Sequence, residues 1–203
     1  MKLNNRNTSM EDKRIYARFD EKNIRIYQAY NNRIAEEAVR LGTFGSSFKK
    51  DRMTWIKPSF LWMMYRSGWG TKDNQERILA IDISREGFDV ILGNAVLSAY
   101  NQKIYKSYEI WKERLSRSEV RCQWDPDRDI YGRSIGRRVI QLGINGSIVA
   151  KYTNDWIVKI SDITTDVINW RDEINNKKFD SKVLPLENEY PINEKLKKIL
   201  GMI

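Results

Sequence analysis

The stretch Arg52–Trp69, RMTWIKPSFLWMMYRSGW, constrains this chain more than any other, because it gathers three tryptophans, three methionines, a tyrosine, Lys57 and two arginines into one short window. An ordinary surface helix would carry a leucine stripe and a charged back. Pro58 suits the first turn of a helix, Ser59 can satisfy its free N–H groups and Gly68 is a natural stop, which together predict a helix over Pro58–Ser67. On that helix Ser59, Trp62 and Arg66 share one side, and Phe60, Met63 and Met64 share another. Two readings follow. Both sides are core and Arg66 runs its stem along it, or the first side is a pocket wall. In the second reading Trp62 or Trp55 stacks a flat ligand while Lys57, Ser59 and Arg66 meet its phosphates.

The 203 residues suit one domain able to bury a core without disulfides or metal staples. No apolar run reaches membrane-spanning length, and the opening MKLNNRNTSMEDKR lacks the apolar centre of a signal peptide, so a cytoplasmic protein is expected. Cys122 is the single cysteine and there is no histidine. Structural zinc therefore lacks the Cys and His ligands it usually takes and is not expected, and the Ser-His and Cys-His nucleophile classes are excluded. General acid or base work falls to Asp, Glu, Tyr or Lys with shifted pKa values. A formal charge of +9 points to anionic partners, nucleotides or nucleic acids.

Along the chain, IRIYQAY over Ile24–Tyr30 alternates as a strand does, and NNRIAEEAVRLG then reads as a capped helix ended by Gly42. Thr43–Asp51 reads as a mobile loop. ERILAIDIS is an interior strand, Ser84 caps the next helix, and Ser107–Ser116 is another. EVRCQWD alternates, with Val120, Cys122 and Trp124 on one side and Arg121 and Gln123 on the other. DPDRDIYGRSIGRR reads as a loop ahead of the strand VIQLGI. A helix from Gly146 to Thr153, a strand over Trp156–Ile160 and a helix over Ile163–Ile174 complete the order. The expected division is a disordered tail over 1–13, one domain over 14–176 and a surface-wrapping extension over 177–203. The fold class is α+β, with a mixed or mainly antiparallel sheet and packed helices.

Asp125, Asp127 and Asp129 resemble the start of a calcium loop, but Ile130 and Gly136 stand where that loop needs glycine and glutamate. No metal is expected. These acids are more naturally partners for Arg128, Arg133, Arg137 and Arg138, and arginines on Gly-containing backbone also suit phosphate recognition.

YQAYN at Tyr27–Asn31, the Arg52–Trp69 block, QERILAI, VRCQWDPDRD, Gln141-Leu142-Gly143 and Asp155-Trp156-Ile157-Val158 together resemble the family catalogued as domain of unknown function 4291, from about Arg14 to about Ile168. That family carries no assigned activity. A strand ending in IYQAY, a helix and a phosphate-friendly loop are also similar to the opening of ADP-ribosyltransferase-like domains. This second resemblance implies NAD as cofactor, with Gln28 in the place of an Arg or His, Ser59 or Tyr65 in the middle place and Gln141 in the last; the catalytic set it implies is Gln28, Tyr65 and Gln141. Gln28 and Gln141 depart from that pattern.

Three function classes stand open. One is a nucleotide-binding, ADP-ribosyltransferase-like enzyme whose ligand meets Tyr27, Trp55, Lys57, Ser59, Trp62, Arg66 and Arg138. The second is a non-enzymatic module for RNA or single-stranded DNA, and the third an interaction scaffold with an aromatic core. An aromatic block beside a few clustered arginines fits a small pocket better than a long basic groove. Acceptor and oligomeric state stay open.

Overall fold

The structure, a computed structural model, describes residues 12–202. The expected tail falls outside these residues up to position 11, whereas Asp12–Lys13 already form a strand. In chain order the strands are β1 (Asp12–Lys13), β2 (Tyr16–Ala17), β3 (Asn23–Tyr30), β4 (Thr54–Ile56), β5 (Arg77–Ser84), β6 (Ala95–Leu97), β7 (Val120–Arg128), β8 (Ser134–Ile144), β9 (Ile157–Asp162) and β10 (Asn188–Glu189). The helices are α1 (Asn32–Leu41), α2 (Phe60–Ser67), α3 (Arg85–Gly93), α4 (Tyr108–Arg117), α5 (Gly146–Lys151), α6 (Thr164–Asn175) and α7 (Glu194–Leu200). The class is α+β, with mixed and antiparallel sheets.

β3, β5 and β9 make a three-stranded antiparallel sheet. β8 is the axis of a five-stranded one: β7 runs antiparallel along one edge, with β6 parallel beyond it, while β1 and β4 share the other edge. A single bridge between Tyr27 and Lys57 links β3 to the chain just after β4, the Tyr27 N–H donating to the Lys57 carbonyl at 2.8 Å. Past that bridge toward Tyr30, side chains take over the pairing. Gln28 donates to the Thr54 hydroxyl at 2.8 Å and to the Trp55 carbonyl at 3.3 Å. The two sheets part here.

Strand alternation sorts the residues into two cores. Ile24 and Ile26 of β3 and Leu79, Ile81 and Ile83 of β5 join Ile56, Val120, Cys122, Ile140, Leu142 and Ile144 of the larger sheet, together with α1 and α3. Tyr27, Ile78 and Ala80 point the other way and pack on Phe60, Met63 and Met64 of α2 and Val167 of α6. The expected division of the α2 faces is thus found, with its methionine face as core.

Two expectations change. DPDRDIYGRSIGRR is mostly sheet: β7 continues through a bulge at Pro126–Arg128, and β8 starts at Ser134 after a short turn. The segment past 176 also does more than wrap the surface, because Tyr190, Leu196 and Leu200 are buried in the main core and β10 pairs with β2. Among the described residues no helix is long and apolar enough to cross a membrane.

Candidate functional site

Helix α2 carries the chemistry of the long block. Ser59 caps it, accepting from the Trp62 N–H at 3.4 Å, and Gly68 ends it in the left-handed conformation. At its start the Phe60 N–H donates to a Glu187 carboxyl oxygen at 2.6 Å, and the Ser59 hydroxyl also bonds that group. Burial pushes the Glu187 carboxyl up to about 8; Asp127 adds to this, while the Phe60 N–H, Arg137 and Ser59 oppose it. Asp127 is itself buried and paired with Arg137 at 2.6 Å. The Tyr27 ring lies edge-on to Phe60 at 5.4 Å, and its buried hydroxyl has no hydrogen-bond partner among the described residues.

Lys57 lies buried where β4 hands over to α2, and its ammonium donates to the Trp55 carbonyl at 3.3 Å. Burial pushes its pKa down to about 7, Arg66 adding to the effect and Asp125 opposing it. Asp125 is held by two amides, Gln123 at 2.8 Å and Gln141 at 2.6 Å, both from the same face of the large sheet. Trp62 is buried on that side of α2 and its indole N–H is likewise unpartnered among the described residues; Tyr65 stacks on it at 5.4 Å, and the Arg128 guanidinium covers Tyr65 at 4.5 Å. A near-neutral amine, a carboxyl kept protonated at neutral pH and unpaired donors therefore stand around one helix, an arrangement suited to acid–base work.

Tyr27, Lys57, Ser59, Trp62 and Arg66 thus belong to the surroundings of α2, and Trp55 leans over Gly143, where a Cβ would stand 3.0 Å from its ring and 2.6 Å from the Met53 sulfur. Only glycine lets Trp55 lie that close to β8. Arg138 does not join them. Strand alternation turns it to the far face beside Trp124, and Arg137 takes the inward place. Nor do Gln28, Tyr65 and Gln141 meet. Gln28 bonds Thr54 and accepts from the Tyr152 hydroxyl at 2.7 Å on the core side, whereas Gln141 faces Asp125 on the opposite side of the large sheet and Tyr65 lies exposed on α2. Sequence reasoning missed Glu187, since it lies in a Pro-containing polar stretch 127 positions from Phe60; the expected pairing of the Asp run with arginines is found in Asp127–Arg137 and Asp129–Arg133.

A second feature opens where the sheets part. A cleft of about 540 Å³ is bounded by Tyr30 at the end of β3, the start of α1 with Arg33, the loop residues Ser47 and Lys49, and Arg52 and Thr54 entering β4. Its lining holds three cations and no carboxylate. Asn31 caps α1 there, accepting from the Ile34 N–H at 3.1 Å, so the positive end of a ten-residue helix faces the opening.

The side chains around α2 predict contrasting variants. Trp62→Ala should cost about 3–5 kcal/mol in a urea titration, as a buried ring does, while Arg66→Ala, at an exposed position, should stay within about 1 kcal/mol of the parent. Equal losses would place Arg66 in the core after all.

No curated protein matches the chain. A family model described as Domain of unknown function (DUF4291) matches residues 14–190, a span that includes β2, both α2 faces, the Asp125–Asp129 run and Glu187. The chain therefore belongs to the DUF4291 family of domains of unknown function.

Proposed function

We propose that this chain is a nucleotide-binding protein, its ligand's phosphates held in the cleft where the two sheets part. The observation that carries this reading is the make-up of that cleft: Arg33, Lys49 and Arg52 around a helix start, with no carboxylate in the lining. Its volume of about 540 Å³ falls in the range of ligand pockets.

NAD is the first dinucleotide to try, because the strand, helix and loop that frame the cleft are those that resemble the ADP-ribosyltransferase-like opening. In this reading Gln28 sets the wall of the cleft by holding Thr54 and Tyr152, while Lys57 and Glu187 lie outside its lining. NAD at a hundredfold its Kd should add about 2.7 kcal/mol to stability, a rise in Tm of roughly 5–10 °C for a chain of this size. Arg52→Ala should abolish that rise without lowering the Tm of the free protein. No shift with millimolar NAD, NADP, ATP or ADP-ribose would overturn the proposal.

A further inference from the structure

Four hydrogen-bonding side chains run from the core to the floor of the cleft at Arg52 and carry one hydrogen more than they can place. The Tyr152 hydroxyl donates to the Gln28 oxygen at 2.7 Å, and the Gln28 amide spends its N–H groups on the Thr54 hydroxyl at 2.8 Å and the Trp55 carbonyl at 3.3 Å. The carbonyl can only accept, so the amide cannot turn over and Thr54 is held as an acceptor. Thr54 and Tyr30 then share one bond between their hydroxyls, at 3.0 Å. Two hydroxyl hydrogens are available for that one bond. Whichever oxygen donates, the other hydroxyl keeps a hydrogen with no acceptor among the described residues.

The donors of this cleft stand at two depths. Thr54 is 9 % exposed and lines it together with Tyr30, whereas Arg33, Lys49 and Arg52 are exposed at its mouth. The Arg33 Nε donates to the Ser47 hydroxyl at 3.1 Å, which leaves the ends of its guanidinium open, and Lys49 and Arg52 carry no ion pair among the described residues. Glu37 stands outside the lining and spends its two oxygens on the Ser46 hydroxyl and the Ser47 N–H. Asn31 satisfies only the Ile34 N–H of α1, and the N–H groups ahead of it have no partner within the helix. A buried donor without an acceptor is costly, so the floor is built for a group that brings one.

We infer that the cleft takes the diphosphate of its nucleotide, one phosphoryl group on the hydroxyl pair of Thr54 and Tyr30 and the start of α1, the other on Arg33, Lys49 and Arg52. This inference rests on the nucleotide reading and makes it specific: a monophosphate engages one set of donors, a diphosphate both. Diphosphate oxygens accept, and the groups left over here donate, three of them with a positive charge and no carboxylate in the lining. Thr54 and Tyr30 are then specificity-determining residues. Gln28 positions their hydroxyls from behind, through the bond to Thr54, without touching the ligand.

The test is isothermal titration of the full chain with NAD, ADP, AMP and inorganic pyrophosphate. ADP should bind about tenfold or more tightly than AMP, as a set of hydrogen bonds to charged oxygens is worth, and pyrophosphate should compete with ADP. Tyr30→Phe combined with Thr54→Val removes both hydroxyls and should bring ADP down to the affinity of AMP. Tyr30→Phe combined with Thr54→Ser keeps one hydroxyl and should restore the preference, which a loss through misfolding would not predict. The comparison of ADP with AMP needs only the parent protein and stands even if the first double variant does not fold. Equal affinities for ADP and AMP, or a preference that survives removal of both hydroxyls, overturn the inference while NAD binding leaves the nucleotide reading in place. No binding of NAD or of the other three overturns both.

Discussion

Lys57→Met is expected to stabilise the protein at pH 6, by on the order of 3 kcal/mol in urea titrations, and the gain should shrink as pH rises toward the unfolded lysine value of 10.5. The sign follows from burial. The ammonium is pushed down to about 7 in the fold from an ordinary value of 10.5, first by desolvation and then by Arg66, against the pull of Asp125. Between those values the unfolded chain holds a proton that the folded chain has released. The stability this group contributes is fully present above its unfolded pKa and lost as pH falls through about 7. Methionine keeps the packing and does not titrate. A variant less stable than the parent at pH 6 would mean that Asp125 holds the charged amine as a true ion pair.

Glu187 runs in the opposite direction over a neighbouring window. Its folded pKa is raised to about 8 from 4.5, so its contribution is present below the unfolded value and lost as pH rises through about 8. Glu187→Gln keeps an acceptor for the Phe60 N–H and removes the titration. Its stability profile should lack the decline that the parent shows over that window.

Gln28→Leu is expected to cost about 3–5 kcal/mol, since several buried polar groups lose their partner at once. The side chain is buried and both ends of its amide are engaged: Thr54 and Trp55 accept from its two N–H groups, and the Tyr152 hydroxyl donates to its oxygen. Adding Tyr152→Phe should recover part of the loss, because it removes one stranded hydroxyl and the two sites are coupled. If Gln28→Leu proves as stable as the parent, the wall of the cleft needs no glutamine, and Gln28 is better read as a residue of the chemistry.

Much of the local structure was legible in the residues. Ser59 and Gly68 bound α2, its two faces follow the spacing of Trp62 and Arg66 against Phe60 and Met63, and the sides of β7 fall as Val120, Cys122 and Trp124 against Arg121 and Gln123. These depend on neighbours three or four positions away on a helix, or two on a strand. The DPDRDIYGRSIGRR stretch was misread for the same reason. Its Pro, Gly and Asp residues are those of a loop, and only the ladder between β7 and β8, which tolerates Pro126 at a bulge, makes it a sheet. Arg137 and Arg138 exchange roles as a result, one inside against Asp127 and the other on the far face.

From its sequence this chain is an α+β domain built on an aromatic helix, basic, without histidine, and with any acid–base work left to carboxylates and lysine. Which lysine and which carboxylate depart from their ordinary pKa was decided by tertiary structure. Lys57 is noticed in the chain only as a positive charge for phosphate, and Glu187 only as a charge of a polar stretch; both change character because folding removes their water and brings the start of α2, Asp125 and Asp127 beside them, and a pKa is set by that surrounding rather than by sequence neighbours.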